Sequence, residues 1–283
     1  MSYVDFILNL AGLLLWIKWR SLPFDPFNKR TPATLVGTLR RAAPSHFRRW
    51  HLLAGIILLL LLRAVVYWWI GSAFAHVWVG KLDLGVTILQ FRSDWLVRML
   101  LFSFISFGLA LGIFYLWLLL LSLLNGNSAD ATGPIHRLVR VQLGRIDAWP
   151  RRVKIILPFV VGLLGWWLTA WLLGCLEIIP LPHSAAHRIE QATLVGLSTY
   201  LAWKYIAAAL LVLHLANSYV YFGRHPFWKY VQETSRKLLM PLRKLPLQAG
   251  RMDLAPVVGI VIIFLMAGLA ERGLVWLYTR LPL

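Results

Sequence analysis

The sequence holds one cysteine among 283 residues, Cys175, and it lies in an apolar run. A single thiol excludes an intrachain disulfide framework, and with no CxxC or CxxCH there is no cysteine-based metal site or covalent haem attachment. Carboxylates are scarce as well: 11 Asp and Glu stand against 29 Lys and Arg, a formal charge of +18. None of those acids falls near the middle of an apolar run, since Asp5, Glu177 and Glu271 lie towards the ends, which argues against a proton-coupled transporter. HExxH, Walker and clustered-carboxylate signatures are missing too, so no enzyme is indicated. Ser198 and His214 fall on one predicted helix, roughly 24 Å apart along its axis, too far for a dyad. Only His214 lies deep in a run, so no two-His haem site forms and no cofactor is expected. The first run has no basic cluster before it and no small-residue cleavage site after it, which reads as a retained membrane helix.

What the chain does have is apolar sequence: 59% hydrophobic residues, 15 Trp and a mean hydropathy of +0.69. That exceeds what soluble domains carry and points to a polytopic membrane protein. Runs near 3–19, 52–74, 96–121, 155–176, 194–222 and 254–280 each approach the roughly 20 residues a spanning helix needs. The tryptophans mostly flank those runs, as interface anchors do.

The charge is placed unevenly. Segments 20–51, 122–154 and 223–253 carry seven, six and seven Lys/Arg, 20 of the 29. The alternate connections, 80–95 and 180–193, balance theirs with acids. Six crossings put the three basic connections on one side, which the positive-inside rule makes cytoplasmic, with both termini outside. The excess charge therefore predicts anionic lipids of the cytoplasmic leaflet as partners, with no specific nucleic acid.

A phrase recurs: "GRIDAWP" at Gly144 to Pro150 and "GRMDLAP" at Gly250 to Pro256. Pro44, Pro150 and Pro256 are spaced by 106 and 106, and Arg98 and Lys204 share the offset. The expectation is an all-α membrane protein of six transmembrane helices in three helix–basic connection–helix repeats, 1–95, 96–193 and 194–283. Within the phrase, Gly144 and Gly250 permit a turn, Asp147 and Asp253 are suited to cap a helix, and Pro150 and Pro256 suit its first turn. Alternatively Arg145 and Arg251 bind lipid phosphate or pair with another repeat's Asp.

Two connections have helical periodicity. Phe227, Trp228, Tyr230, Val231, Thr234, Leu238 and Leu239 fall opposite Lys229, Glu233, Arg236 and Lys237, and Leu138, Val139 and Leu143 fall opposite Arg137 and Arg140. An apolar face with a basic back predicts interfacial helices whose Arg137, Arg140, Arg236, Lys237 and Arg243 contact lipid or partner. The other reading is ordinary topology charge. A shorter helix is suggested at 34–42. Arg63 and Lys204 lie inside apolar runs, where charge is costly and points to function by default. Either they make structural contacts between helices, Lys204 with its stem snorkelling outward, or they line an anion path.

The third repeat resembles the YggT family of small membrane proteins, through His225-Pro226-Phe227, Thr234, Pro241-Leu242-Arg243, Pro246, Gly250, Asp253 and Pro256. The likeness covers about 211–270 and returns more faintly at Asp25-Pro26-Phe27 and "GRIDAWP". His214 stands where that family carries an arginine, and Ala255 where it carries a serine. The resemblance implies a non-catalytic factor of the bacterial inner membrane, tied to envelope or osmotic homeostasis, division or membrane-complex assembly, working with unidentified membrane protein partners. A channel or transporter for a small anionic solute, using Arg63 and Lys204, is the alternative.

Overall fold

The computed structural model describes residues 2–21, 49–73, 79–126, 133–176, 178, 185–220, 225–242, 248–249 and 252–280. Gly250, Arg243, Arg251, Pro44 and the suggested helix at 34–42 lie outside the described residues.

The chain is predominantly helical. Helices α1 (Ser2–Ser21), α2 (Arg49–Ala73), α3 (Leu96–Asn125), α4 (Pro134–Leu143) and α5 (Arg151–Cys175) are followed by α6 (Ala185–Ser198) and α7 (Trp203–Tyr219). Helices α8 (Pro226–Leu238) and α9 (Ala255–Arg280) complete the set. Among the described residues, five helical stretches are long and apolar enough to cross a membrane: Arg49–Gly71, Leu96–Asn125, Arg151–Cys175, Ala185–Tyr219 and Ala255–Arg280. Six were expected. The sixth, α1, does not qualify, because Asp5, Asn9, Lys18 and Arg20 dilute its 20 residues.

Helix α3 is the hub. It packs against α1, α2, α4, α5, α7 and α8, and against the hairpin below. Its burial is spread around the whole circumference, from Met99, Phe102 and Phe107 near one end to Leu118, Leu119 and Ser122 near the other. An all-round apolar sequence fits that position, since a helix with no polar stripe is enclosed by neighbours or lipid.

The connection 80–95, expected to be a charge-balanced loop, contains an antiparallel hairpin. Strand β1 (Val79–Asp83) pairs with β2 (Ile88–Arg92), Leu82 opposite Leu89 and Gly80 opposite Phe91. The turn is set by Gly85 at φ 84, with its N–H donating to Asp83 Oδ1 at 2.7 Å. Leu82, Leu89 and Phe91 are buried while Lys81, Asp83, Gln90 and Arg92 are exposed, the period-two pattern of a half-buried strand. The buried row joins Ala64 and Tyr67 of α2, Met99 and Phe102 of α3, Trp166 and Leu173 of α5 and Val195 of α6 in one core. Ser198 Oγ donates to Leu84 O at 3.1 Å and ties the hairpin to α6. The remaining strands, β3 (Gln248–Ala249) and β4 (Met252–Asp253), form a short ladder before α9.

The stretch Ala185–Tyr219 is not one uniform helix. A 3₁₀ turn at Thr199–Ala202 divides α6 from α7. Breaking the α-helical ladder inside a membrane frees carbonyls that water does not reach, so other donors must take them. Trp117 Nε1 donates to Ala202 O at 2.9 Å, and in return Trp203 Nε1 donates to Leu116 O at 3.1 Å. Opposite the break, α5 carries Pro158, whose missing N–H costs that helix a bond. Thr199 Oγ1 donates to Pro158 O at 3.2 Å and Tyr200 OH to Ile155 O at 2.6 Å. Close approach here depends on Gly162 and Gly196: a Cβ on Gly162 would overlap Thr199 Cγ2 and stand 3.0 Å from Gly196 Cα. Small residues at a helix crossing let backbones meet, the usual basis of packing in lipid.

Candidate functional site

Three polar groupings among the described residues sit between the apolar helices, and they contain five residues singled out from sequence: Arg63, Lys204, Asp147, Arg140 and Lys237. The first is built on Arg63. Its side chain is 0% exposed, and NH2 donates to Asp5 Oδ1 at 2.7 Å and to Ser106 Oγ at 3.0 Å, while NH1 donates to Asn9 Oδ1 at 2.8 Å. Tyr67 OH donates to the same Asp5 oxygen at 2.7 Å. The rings of Tyr67 and Phe102 lie 5.5 and 5.2 Å from the guanidinium carbon. Asp5 and Asn9 are successive turns of α1, Arg63 and Tyr67 are successive turns of α2, and Ser106 comes from α3. So the i, i+4 rule places two polar groups on each facing stripe. Nε is buried with no hydrogen-bond partner among the described residues. A buried charge needs a counter-charge and hydrogen bonds around it. Asp5 supplies the charge, although by sequence it looked like a terminal residue.

The second grouping holds Lys204. Its Nζ donates to Glu271 Oε2 at 2.8 Å, across from α7 to α9. Glu271 stands about 24 Å along α9 from its start, well inside the helix. Its position in sequence, near the end of the chain, had hidden it as a partner. Lys204 is thus paired between helices instead of reaching outward by its stem. Arg98, at the matching offset, does something else: it bonds Asp94 one turn earlier at 3.0 Å.

The third grouping is the inner end of α3, where the basic connections meet. Ser122 Oγ donates to Asp147 Oδ1 at 2.5 Å, and Lys154 Nζ donates to Ser122 Oγ at 2.8 Å and Asp147 O at 2.6 Å. Arg140 Nε lies 3.8 Å from Asp147 Oδ2. One turn on, Asn125 Nδ2 donates to Thr234 Oγ1 at 2.8 Å, and Lys237 Nζ donates to Asn125 Oδ1 at 3.2 Å. His136 of α4 meets Tyr230 of α8 edge-on, ring centroids 4.8 Å apart. Burial holds the His136 imidazole below the usual histidine value; Glu233 opposes this, and Lys237 and Arg140 reinforce it. Burial likewise pushes the Tyr230 hydroxyl up to about 12.

This arrangement corrects the reading of the repeated phrase. Gly144 makes the turn as expected, closing α4 at φ 57. Asp147, however, lies in a 3₁₀ turn, Gly144–Ala148, and does not cap α5; the N-cap is Pro150, with no side-chain bond. The carboxylate is spent on Ser122, Lys154 and Arg140. In the other copy, Asp253 is in β4 and Pro256 is buried in the first turn of α9, so two similar phrases take different local forms. The sequence context differs too: the position matching Lys154 is Ile260, so the second copy has no cation in that slot.

The amphipathic helices are present but turn their apolar faces onto protein. Val139 and Leu143 of α4 pack with Leu118 and Leu119 of α3. Tyr230, Val231, Thr234 and Ser235 of α8 are buried, with Ser235 Oγ donating to Leu210 O at 3.0 Å. Arg137, Arg140 and Arg236 remain exposed, whereas Lys237 is drawn in to Asn125. Among the described residues no group of three or more His, Cys, Asp or Glu is placed to hold a metal ion. Sequence reasoning missed Asp5, Asn9, Ser106, Ser122, Asn125 and His136. The signal available for α3 was its small and polar residues, Ser103, Ser106, Ser122 and Asn125, in an otherwise apolar run.

No protein-family model, curated protein or solved structure matches the chain.

Proposed function

We propose that the chain is a non-catalytic scaffold or assembly factor of the bacterial inner membrane, similar to the YggT family. On this reading α1 is the sixth span, the three repeats share one sidedness, and α4 and α8 lie along the cytoplasmic face with both termini outside. The observation that carries it is the division of the charges. Arg63 and Lys204, inside the spans, are bonded to Asp5 and Glu271 and withdrawn from solvent, while Arg137, Arg140 and Arg236 are exposed on helices packed onto α3, Arg140 with Asp147 beside it. A guanidinium sealed from solvent and already matched by a carboxylate has little to offer a passing anion. A rigid, outward-facing basic surface suits docking, each cation near an anionic surface contributing about 1 kcal/mol.

The test compares wild-type chain with an Arg137→Glu, Arg140→Glu, Arg236→Glu variant, each crosslinked in membranes and purified in mild detergent. Loss of a specific set of co-purifying membrane proteins from the variant is the expected result. Equal recovery from both, together with chloride flux in proteoliposomes that an Arg63→Leu, Lys204→Leu variant lacks, would replace the scaffold with a channel.

A further inference from the structure

Among the described residues, helix α9 carries one cation, Arg272, that nothing matches. Beside it is a shallow, open groove of about 600 Å³ lined by α9 alone, through Gly268, Glu271, Arg272, Val275, Trp276 and Thr279, with Arg280 just beyond its end. Glu271 is engaged there by Lys204 through Oε2. Arg272 is exposed and has no hydrogen bond or ion pair among the described residues. One helical face further along, Arg280 lies over the Trp276 indole, 4.0 Å from its centroid. Gly268, Arg272, Trp276 and Arg280 recur every fourth position, so they form one stripe, with an arginine on either side of the indole.

Depth decides what can meet that stripe. Arg272 stands about 26 Å, and Arg280 about 38 Å, along the axis from Ala255. The hydrocarbon core is about 30 Å thick. With Ala255 at the basic side of the membrane, Arg272 lies just inside the far edge of the hydrocarbon, Arg280 lies beyond it, and Trp276 and Tyr278 sit at the interface where such rings collect. A long stem lets the Arg272 head rise to the headgroup layer. There the dominant anion is phosphate, which a guanidinium binds through two hydrogen bonds.

We propose that this groove binds the phosphodiester of a phospholipid from the leaflet opposite the basic connections, gripped by Arg272 and Arg280. Trp276 borders the glycerol region, and Gly268 leaves room for an acyl chain along the helix. A second copy of α9 is the competing cover. It would gather four guanidiniums around two carboxylates, each already bonded to a Lys204, so the charge balance favours phosphate. The inference rests on the sidedness proposed above and not on the scaffold role.

Native mass spectrometry tests it on the full chain in nanodiscs of phosphatidylglycerol and phosphatidylcholine. Phospholipids retained after mild activation are counted for wild type, for Arg272→Gln with Arg280→Gln, and for a Lys81→Gln, Arg92→Gln control on the hairpin. The expected result is one fewer tightly held phospholipid per chain in the arginine variant, an occupancy lower by at least about tenfold, and no change in the control. Where the double variant folds poorly, each single variant gives the same reading, partial loss supporting the site and full retention overturning it. Equal retention in all chains overturns it too, as does a wild-type dimer that the arginine substitutions dissolve, which would assign the face to a second copy.

Discussion

Arg63 decides whether α1 belongs to the bundle. Through one fully buried guanidinium it holds Asp5, Asn9 and Ser106, and so joins three helices. Removing one member of a buried pair strands the other, at a cost of about 3–5 kcal/mol. Arg63→Leu should therefore destabilise the chain by about that much in a detergent unfolding titration. Combining it with Asp5→Leu should recover a large part of the loss, because the double change strands no charge. Equal losses in the single and double variants would show that the pair is not what holds α1. Arg63 was legible in the sequence as a charge inside an apolar run, and Lys204 likewise. Their partners were not legible. Asp5 and Glu271 are 58 and 67 positions away in the chain, and only the crossing of helices brings them near.

Between elements, the contact of α4 with α8 is the one tuned by protonation. His136 packs edge-on against Tyr230 with its ring partly buried, and Lys237 and Arg140 face it from α8 and from its own helix, against Glu233 and Asp147. Because folding lowers its pKa, the neutral ring is the form the fold favours. The stability it contributes is complete above the unfolded value of about 6.5 and is lost as pH falls through the lower folded value. Thermal melts in detergent should thus fall in Tm on acidification below about pH 6.5, and His136→Phe should reduce that fall. An unchanged pH profile in the variant would remove His136 from the account. The elements themselves were legible to different degrees. Apolar runs and helical periodicity marked α1 to α5 and α7 to α9, because burial in lipid or against a neighbour imposes those patterns directly. The hairpin went unread although Lys81, Asp83, Gln90 and Arg92 alternate with buried residues, since four alternations amid helices resemble a polar loop. The 3₁₀ break at Thr199–Ala202 left no sequence mark of its own; it depends on the indoles of Trp117 and Trp203 and on bonds from its own Thr199 and Tyr200 hydroxyls to Pro158 and Ile155 of α5.

For the whole molecule the governing matter is sidedness. Helices α4 and α8 gather at one end of α3, and the hairpin covers the other. Single cysteines at Lys81, Arg137 and Arg236, in a Cys175→Ser background, give a direct check with a membrane-impermeant maleimide on intact cells. Lys81→Cys should label at once, and Arg137→Cys and Arg236→Cys only after the membrane is opened. Labelling of all three in intact cells would end the reading of the basic connections as cytoplasmic.

The reciprocal bonds of Trp117 and Trp203 have a mechanical meaning. They turn the division between α6 and α7 into a clasped joint, with α6 held by α5 and the hairpin, α7 held by α8, and α9 laid against both. Force applied through α8 therefore reaches the central helix by two routes, the paired indole bonds at the joint and the bonds of Thr234 and Lys237 to Asn125.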